Sequence, residues 1–339
     1  MTSNASHGPL TTDGRAAIDV VTLGESMVAL VAEERGSLRD ADRFRRLVAG
    51  AESNVSIGLA RLGLRVAFVG RVGADPFGET ILARLRAEGV DTSAVRVDHA
   101  APTGILVRER RSIGPSEVLY YRHGSAGSRL DPSDVDWAAS LGLFDASWLH
   151  VTGITPALSL SARLAVGRAI EVARANAATV SLDINLRRKL WTVAEAGPIL
   201  RHLAAQVDVL FGDEDELALL LGHRPQAGPG ALADAVRQLG PTTVVVKLGH
   251  QGAFALAPNE EPVLAPGLRV DVVDPIGAGD AFAAGFLAGR LTNLDLATSL
   301  AWANATGASC VAALGDLAGL PTREDLGRLQ GVDADPSIR

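Results

Sequence analysis

Residues 270–290, VDVVDPIGAGDAFAAGFLAGR, predict the element around which the rest of the chain is arranged. The stretch indicates a short β-branched strand over 270–273, a turn that contains a proline, and an apolar helix over 281–291. The first amides of a helix have no partners within it, and the helix dipole attracts negative charge, so such a turn can bind an anion. Glycines at 277 and 279 would let a ligand approach the backbone closely. We therefore expect a phosphoryl group to bind at Gly277, Ala278 and Gly279.

Asp280 is the one ionisable side chain at the mouth of this turn. An aspartate at the start of a helix is often only a cap, and that interpretation stays open for the isolated motif. The helix behind it is apolar on all sides, which predicts that it is buried and that its start opens into a cleft. There the carboxylate can accept a proton from a substrate hydroxyl while the amides hold a transferring phosphoryl group. Asp280 is our candidate catalytic base.

Length, composition and charge narrow the class of protein. A chain of 339 residues that is 47% hydrophobic fits one large α/β domain, with or without an insertion, better than many small ones. The net charge of −7 argues against a nucleic-acid or anionic-membrane partner. A lone cysteine, Cys310, favours a reducing compartment, and no signal peptide or membrane-spanning run is evident, so we expect a cytoplasmic protein. Residues 1–17 and 331–339 are predicted to be flexible tails.

Apolar β-branched runs alternate with helical patterns along the chain, which is typical of a mostly parallel sheet with helices on both faces. Strands are predicted at 20–23, 66–69, 148–151, 180–183, 207–211, 243–248, 253–256 and 270–273. Helices are predicted at 51–62, 76–88, 159–176, 213–221, 230–239, 281–291 and 296–314.

Two stretches, at about 27–48 and 103–122, break this alternation and read as extended segments without a helix between them. Two ordinary loops would explain them, but strands that leave the main sheet and pair with each other explain them better. Such a lid would keep water out of a site that transfers phosphoryl groups. The predicted fold is an αβα layered domain over residues 18–330 with a small β-sheet lid.

The sequence lacks the motifs of several other catalytic classes. Its only lysines are Lys189 and Lys247, which excludes the G-x-x-x-x-G-K-[ST] phosphate loop. No G-x-G-x-x-G follows the first strand, and neither H-E-x-x-H nor G-x-S-x-G occurs. A dinucleotide enzyme, a zinc protease and a serine hydrolase are therefore disfavoured.

The first predicted helix begins within AGAESNVSIGLARLG, residues 49–63. Gly50 and Ala51 allow the backbone to approach a ligand, and Glu52, Ser53 and Asn54 place polar groups at the start of an otherwise apolar helix. These residues could simply be helix caps. They also suit a polyol, whose hydroxyls need both donors and acceptors.

The GAESN and ARLG segments at 50–54 and 60–63, together with DPIGAGD at 274–280, resemble the two signatures of the ribokinase-like (PfkB) carbohydrate kinases. The segment RVGADPFG at 71–78 lies between them, and the resemblance extends over about residues 20–325. It implies an αβα main domain, a β-sheet lid that often forms the interface of a homodimer, ATP with Mg²⁺, and an aspartate base at Asp280. Whether a monovalent cation such as K⁺ is needed as well stays open.

Within that family, further segments are similar to kinases of 2-keto-3-deoxygluconate. They are YYR with GSAGS at 120–122 and 124–128, HVTGITPALS at 150–159, and DINLR at 183–187. A sugar acid carries a carboxylate, and arginine offers a fork of donors that fits one, although an arginine after a strand is often a surface residue. The resemblance implies that the substrate is contacted by Tyr120, Arg122 and Arg187 and lies near Asp274 and Asp316.

The nucleotide side is less distinctive. The loop KLGHQG at 247–252 resembles the segment with which the family contacts ATP, which implicates Lys247, Gly249 and Gly252. The same resemblance places Asn185 and Asn304 on the nucleotide side, with Asn304 near adenine. Asp213 and Glu216 fall where the family has Asn-x-x-Glu acting on Mg²⁺ through water, and here Asp213 replaces the Asn. A plain acidic helix start is the alternative for this pair.

We expect an ATP-dependent kinase that phosphorylates the C6 hydroxyl of 2-keto-3-deoxygluconate. Ala49 replaces a glycine that is common in the family, and Leu106 and Leu186 replace tyrosines that are common among the ketodeoxygluconate kinases. These departures leave a kinase of a neutral sugar such as fructose as an alternative. A regulator that binds nucleotide or sugar without catalysis is an alternative of another class.

Overall fold

A computed structural model describes residues 17–111, 114 and 116–332 of the chain. The two predicted tails, 1–17 and 331–339, lie outside the described residues apart from Ala17 and positions 331–332, which end the last helix.

Thirteen strands and eleven α-helices form the regular secondary structure of the described part of the chain. The strands are β1 (Val20–Leu23), β2 (Met27–Arg35), β3 (Phe44–Ala49), β4 (Val66–Gly73), β5 (Val95–Asp98), β6 (Ile105–Arg110), β7 (Val118–Tyr121), β8 (Trp148–Thr152), β9 (Thr179–Asp183), β10 (Val209–Asp213), β11 (Thr243–Lys247), β12 (Gly252–Leu256) and β13 (Val263–Pro266). The helices are α1 (Ala51–Arg61), α2 (Pro76–Ala87), α3 (Pro132–Ser140), α4 (Thr155–Leu158), α5 (Leu160–Ala175), α6 (Val193–Ala204), α7 (Glu214–Leu221), α8 (Gly228–Arg237), α9 (Ala278–Leu291), α10 (Leu296–Val311) and α11 (Arg323–Val332).

The main sheet has nine strands in the order β13-β12-β11-β10-β9-β8-β1-β4-β5. All its pairs are parallel except β11 with β12 and β12 with β13, which form an antiparallel edge. The central strands are buried on both faces because helices cover both sides. This arrangement confirms the predicted mostly parallel sheet in a layered α/β fold.

Helices α3, α5, α6, α7 and α8 share one apolar core with one face of this sheet, and α1, α9, α10 and α11 share a second core with the other face. Helix α9 is the most deeply buried, since ten consecutive residues, 280–289, are buried on all sides of it. Its contact with α1 is close because Gly58 faces Ala284, and a Cβ on Gly58 would lie 2.8 Å from the Ala284 Cβ. The packing of these two small residues brings the starts of α1 and α9 side by side.

A separate sheet of four strands, in the order β3-β2-β6-β7, is formed by the two segments that break the βα alternation. Strand β2 pairs antiparallel with β3 and parallel with β6, and β6 pairs antiparallel with β7. Its own small apolar cluster is centred on Met27, Ala29, Val31 and Leu106. We refer to these four strands as the second sheet.

The predicted strand over 270–273 is wrong. Residues 267–275 belong to neither sheet, and the sheet edge is instead β13. Val270, Val272 and Val273 are 41%, 65% and 55% exposed, so their β-branched character reflects no burial in the sheet. Helix α9 also begins three residues earlier than predicted, at Ala278. In the part of the chain that the structure describes, no helix is long and apolar enough to span a membrane.

Candidate active site

The residues singled out in the sequence collect where the parallel strands end. Gly24 and Glu25 follow β1, Ile184 and Asn185 follow β9, and β11 ends at Lys247. In open α/β sheets, ligands bind in the crevice beyond the carboxyl ends of the strands. The starts of α1 and α9 point into the same crevice, so the fold itself places the candidate residues together.

The turn before α9 has the geometry of an anion site. Gly277 is the N-cap residue of α9 with φ of 82°, a left-handed conformation that favours glycine. A Cβ at this position would lie 3.0 Å from Cα of Asp316, so the turn packs directly on that residue. The amide of Ala281 makes the first helical hydrogen bond, to the Gly277 carbonyl, at 2.9 Å. The amides before it, including those of Ala278 and Gly279, therefore have no intrahelical acceptor.

Asp280 is buried in the first turn of α9, with 6% of its surface exposed. Its carboxylate accepts hydrogen bonds from Nδ2 of Asn54 at 2.8 Å and from Nδ2 of Asn185 at 3.2 Å. Burial raises the pKa of Asp280, although Asn54 and nearby cations act in the opposite direction. The two amides hold the carboxylate in one orientation, and its raised pKa makes it a better proton acceptor than an exposed aspartate.

Asp316 is a second carboxylate beside the first. Nδ2 of Asn54 also donates to its Oδ2, at 3.2 Å, so one amide joins Asp280 and Asp316. Burial and the neighbouring Asp280 carboxylate raise the pKa of Asp316 to about 6. Oδ1 of Asn54 is itself buried without a partner among the described residues. It is therefore an acceptor that is available to a ligand hydroxyl.

A cavity of about 680 Å³ opens between these carboxylates and the second sheet. Asp280, Gly277 and Asn54 form its floor, together with Gly50 and Ala51. The second sheet contributes Met27, Leu106 and Tyr120 from the other side, and the segment 186–190 closes a third side. Both leucines that replace family tyrosines, Leu106 and Leu186, line this cavity.

Arg122 lines the cavity, but its charge is already neutralised by the carboxylate of Glu25. Glu25 was not among the site residues predicted from the sequence. Nε and Nη2 of Arg122 both donate to Oε2 of Glu25, at 2.8 and 2.5 Å, and both side chains are buried. Ser125 donates to the other carboxylate oxygen of Glu25 at 2.5 Å. The one available sequence signal was the position of Glu25, directly after the glycine that ends the first strand.

Arg187 differs from Arg122, because it forms no ion pair within the described residues. Its side chain is exposed, lines the cavity, and lies near enough to Asp280 to lower the pKa of that carboxyl. Two residues on, Lys189 donates to the carbonyl of Val118 in β7, at 2.7 Å. The ring of Tyr120 lies near the cations of Arg122 and Lys189. Its centroid is 5.8 Å from Cζ of Arg122 and 5.9 Å from Nζ of Lys189.

Asp274 lies apart from the cavity floor. It forms a bidentate, buried ion pair with Arg108 of β6, with Nη1 to Oδ1 at 2.9 Å and Nη2 to Oδ2 at 2.5 Å. The structure therefore does not place Asp274 among the residues that line the cavity with Asp280.

Glu52 and Ser53, expected at the substrate, make their hydrogen bonds inside the protein. Oε1 of Glu52 accepts from the hydroxyls of Thr152 and Thr155, at 2.8 and 2.6 Å. Burial raises the pKa of Glu52 to about 7 against the effect of these two donors. Ser53 donates to the carbonyl of Gly50 at 3.0 Å, so it stabilises the start of α1.

On the expected nucleotide side, Nζ of Lys247 binds the buried carboxylate of Asp183, at 2.7 and 3.0 Å. Burial alone would lower the pKa of Lys247, but the carboxylates of Asp183 and Glu216 raise it. We refer to residues 276–279 as the anion turn. A Cβ on Gly279 would lie 3.8 Å from the Lys247 ammonium, so that cation reaches the anion turn. Lys247 is the cation placed best to meet a phosphoryl group bound there.

Asp213 and Glu216 form a capping box at the start of α7, in which each side chain accepts the backbone N–H of the other residue. Oε1 of Glu216 also accepts the N–H of Leu186, at 2.7 Å, and burial raises the pKa of Glu216. In the described ranges, no three acidic, histidine or cysteine side chains are grouped to hold a metal ion. These carboxylates fit a Mg²⁺ ion that keeps most of its water and binds mainly to phosphates.

The remaining nucleotide candidates adjoin one another at the sheet edge. Gly252 has φ of 103°, and a Cβ there would lie 2.1 Å from the carbonyl oxygen of Ala265 in β13. Nδ2 of Asn304 donates to the same carbonyl and to that of Pro266, at 3.2 and 3.1 Å. Gly249 begins the short turn that leads to Gly252. Gly252 and Asn304 thus hold the β12–β13 edge beside the Lys247 loop.

Comparison with known proteins finds relatives that are similar over most of the chain. The sequence is 40% identical to the 2-dehydro-3-deoxygluconokinase of Bacillus subtilis (strain 168), over 91% of this chain and 94% of that protein. It is 42% identical to the 2-dehydro-3-deoxygluconokinase of Thermoproteus tenax, over 91% and 92% of the two chains. The crystal structure of 2-dehydro-3-deoxygluconokinase from Thermotoga maritima superposes with a TM-score of 0.85 at 30% identity, over 92% of this chain and 99% of that one.

These likenesses confirm the ribokinase-like fold predicted from the sequence motifs. The model of the pfkB family of carbohydrate kinases matches residues 17–323, nearly all of the chain that the structure describes. This protein belongs to the pfkB family of carbohydrate kinases.

Proposed function

We propose that this kinase uses ATP to phosphorylate the C6 hydroxyl of a sugar acid, 2-keto-3-deoxygluconate. The observation that carries the proposal is the composition of one cavity, which has Asp280 and Gly277, the N-cap of α9, on its floor and Arg122 and Arg187 at its sides. A carboxylate at one end of a substrate and a hydroxyl at the other would meet complementary groups. The named activity of the Bacillus subtilis and Thermoproteus tenax relatives supports the same substrate.

In the proposed reaction, Asp280 accepts the proton of the attacking hydroxyl. Asn54 and Asn185 keep its carboxylate oriented, and the unpartnered Oδ1 of Asn54 accepts a sugar hydroxyl. The amides of Ala278 and Gly279 stabilise the charge on the transferring phosphoryl group, because they need no rearrangement to do so. Gly277 keeps this turn open to the ligand.

Recognition of the substrate carboxylate is assigned mainly to Arg187, whose guanidinium is free of carboxylate partners in the described part of the chain. Arg122 contributes the donors that Glu25 leaves unused, and Tyr120 packs between the cations. Gly50 and Ala51 contact the sugar through backbone, and Asp316 accepts a hydroxyl near the reacting end. Glu52 and Ser53 support the start of α1 from behind. Asp274, which is paired with Arg108, supports the turn before α9 and does not contact the sugar.

ATP is assigned to the side of the crevice that holds Lys247, Gly249, Gly252 and Asn304. Glu216 and Asp213 would hold Mg²⁺ through water, and the ion would neutralise charge on the phosphates. Lys247 meets the phosphoryl group once it exchanges part of its contact with Asp183. The second sheet is the proposed lid, which excludes water from the closed cavity.

A neutral sugar such as fructose is the second candidate, because one observation favours it. Glu25 already neutralises Arg122, and this leaves the cavity with less positive charge than two arginines would give. The two leucines at 106 and 186 also offer no phenolic donors to a sugar acid.

A coupled assay of ADP release distinguishes these candidates. The panel contains 2-keto-3-deoxygluconate, its C4 epimer, fructose and ribose, each with Mg²⁺-ATP. We expect the highest kcat/KM with one of the two sugar acids. A preference for fructose would reject the proposed substrate, and no turnover with any sugar would favour a non-catalytic protein.

Asp280→Asn is the catalytic control in the same assay. The amide cannot accept the proton, so kcat should fall by about 100-fold to 10,000-fold while ATP binding, followed by calorimetry, is retained. Retained turnover would reject Asp280 as the base.

A homodimer formed through the second sheet and a cytoplasmic location are further parts of the proposal, and whether turnover depends on K⁺ is a third question. Light scattering tests the first, fractionation the second, and replacement of K⁺ by tetramethylammonium the third.

A further inference from the structure

The buried ion pair between Arg108 and Asp274 joins the second sheet to the segment that leads into the anion turn. Arg108 lies on β6 with 4% of its surface exposed, and Asp274 is 5% exposed. The two guanidinium contacts, at 2.9 and 2.5 Å, use both carboxylate oxygens. Such a bidentate pair fixes orientation as well as distance.

The same carboxylate also binds two backbone amides. Oδ1 of Asp274 accepts the N–H of Ile276 at 3.3 Å, which shapes the turn immediately before Gly277. Oδ2 accepts the N–H of Gly315 at 2.9 Å, which fixes the loop immediately before Asp316. One side chain therefore ties together β6, the anion turn and the loop that carries the second active-site carboxylate.

The anion turn and the 315–316 loop are also in direct contact. A Cβ on Gly277 would lie 3.0 Å from Cα and 3.1 Å from Cβ of Asp316, so the two segments pack directly against each other. Asp316 in turn shares the Asn54 amide with Asp280. A displacement of Asp274 would therefore reach both the phosphoryl-binding amides and the candidate base.

A contribution to the stability of the fold does not by itself explain why this buried ion pair is present. Burying two charges is costly, and a well-packed apolar pair in their place is often as stable or more stable. Arg108 does not line the cavity that holds Asp280, so direct contact with the substrate does not explain it either. What the pair provides is a fixed geometry between the second sheet and the anion turn.

We propose that Arg108 is a positioning residue for phosphoryl transfer, which acts through Asp274 to hold the anion turn and the Asp316 loop in register with the second sheet. The inference rests on the proposed kinase function. It assigns to β6 a part in forming the phosphoryl site and not only in covering it.

The test compares four variants: Arg108→Met, Arg108→Lys, Arg108→Met with Asp274→Asn, and Arg110→Met. Arg110 is the matched control, because it lies two residues along the same strand, and among the described residues its side chain donates only to the Glu33 carbonyl, at 3.3 Å. We expect Arg108→Met to lower kcat by about 100-fold, the scale associated with a displacement of about 1 Å, while KM for the sugar changes by less than about threefold. Arg110→Met should stay within about twofold of wild type in both constants.

The double variant separates positioning from stability. It removes both buried charges, so its melting temperature should return close to that of wild type, whereas its kcat should stay low because asparagine cannot accept from both backbone amides. Recovery of kcat together with the melting temperature would overturn the proposal, as would an Arg108→Met enzyme with wild-type kcat. Arg108→Lys keeps a charge in place and covers the case in which Arg108→Met does not fold. Its kcat should fall because an ammonium lacks the planar fork of donors that fixes the orientation of the carboxylate.

Amide hydrogen exchange gives a readout that does not depend on the sugar. Peptides covering 274–279 and 313–317 should exchange faster in Arg108→Lys than in wild type, and Arg110→Met should leave them unchanged. Unchanged exchange in Arg108→Lys would overturn the positioning role. If the wild-type enzyme phosphorylates no sugar in the panel, the proposed function fails, and exchange still decides whether Arg108 holds the turn.

Discussion

Replacing Arg122 tests two properties of the cavity at once, because Arg122 is both a candidate substrate ligand and the partner of buried Glu25. Arg122→Met leaves the Glu25 carboxylate with no cation, a change that costs about 3–5 kcal/mol for a buried pair. With about 2.1 cal/mol/K of unfolding entropy per residue, this lowers the melting temperature of the 339-residue chain by about 4–7 °C. Adding Glu25→Gln removes the second charge and should restore most of that loss.

The kinetic effect is read from the double variant, in which stability no longer interferes. Loss of a charge-assisted hydrogen bond, worth about 1.5–3 kcal/mol, should raise KM for 2-keto-3-deoxygluconate by about tenfold to a hundredfold and leave KM for a neutral ketose unchanged. Arg65→Met is the control, since Arg65 pairs with Asp19 at 2.8 Å at the opposite, amino-terminal edge of the sheet. An unchanged KM for the acid in the double variant would refute the assignment of Arg122, and an unchanged melting temperature in Arg122→Met would refute the buried pair.

Three further changes probe the floor, the back and the rim of the cavity. Gly277→Ala forces an alanine into the left-handed conformation, at a cost of about 1–2 kcal/mol. Its Cβ would also press on Asp316, so kcat should fall by about 100-fold. Gly228→Ala is the control, because its φ of 83° gives the same strain while its Cβ would have nothing within 4 Å, and its kcat should be unchanged. Burial raises the pKa of Glu52 from 4.5 to about 7, so the folded state holds a proton that the unfolded state has lost, and stability falls as pH rises from 4.5 through 7. Glu52→Gln keeps an acceptor for the hydroxyls of both threonines. Above pH 7, its free energy of unfolding, measured by chemical denaturation, should exceed that of wild type by up to about 3 kcal/mol. If the stability of both proteins depended equally on pH, this expectation would be contradicted. Lys189→Met removes the hydrogen bond to β7 and should raise KM for the sugar by about threefold in steady-state assays, whereas an unchanged KM would show that this contact does not help to close the cavity.

The pattern of apolar residues was sufficient to predict the strands and helices whose burial follows a regular pattern along the sequence. Helix α9 and the parallel strands other than β5 were predicted because continuous apolar runs mark elements that are buried on all sides. Strand β5 was missed, since it is only partly buried. The strand at 270–273 was wrong because three exposed valines have the same composition as a buried strand, and only the position of the sheet edge distinguishes them. Composition alone cannot locate that edge.

The candidate site was predicted unevenly for a related reason. Asp280 and the α9 turn are local, since one short segment supplies both the carboxylate and the amides. Glu25 and Arg122 are 97 residues apart, and Arg108 and Asp274 are 166 apart. Nothing local marks which arginine will pair with which acid, because the pairing is fixed only when the second sheet docks on the main domain.

The balance of charge in the crevice explains why these pairings matter for an anionic substrate. Asp183, Asp280, Asp316 and Glu216 are held within one buried region, and burial raises the pKa of each of them. Lys247 is already bound to Asp183, and Arg122 to Glu25, so within the described residues Arg187 and Arg188 are the cavity arginines that form no ion pair. A nucleoside triphosphate that enters this crevice meets Lys247 and Arg122 already paired with buried acids, so we expect it to bind together with a cation of its own. If the protein has the proposed function, we therefore expect the binding of the phosphates to depend on Mg²⁺, which would offset the charge of the buried acids.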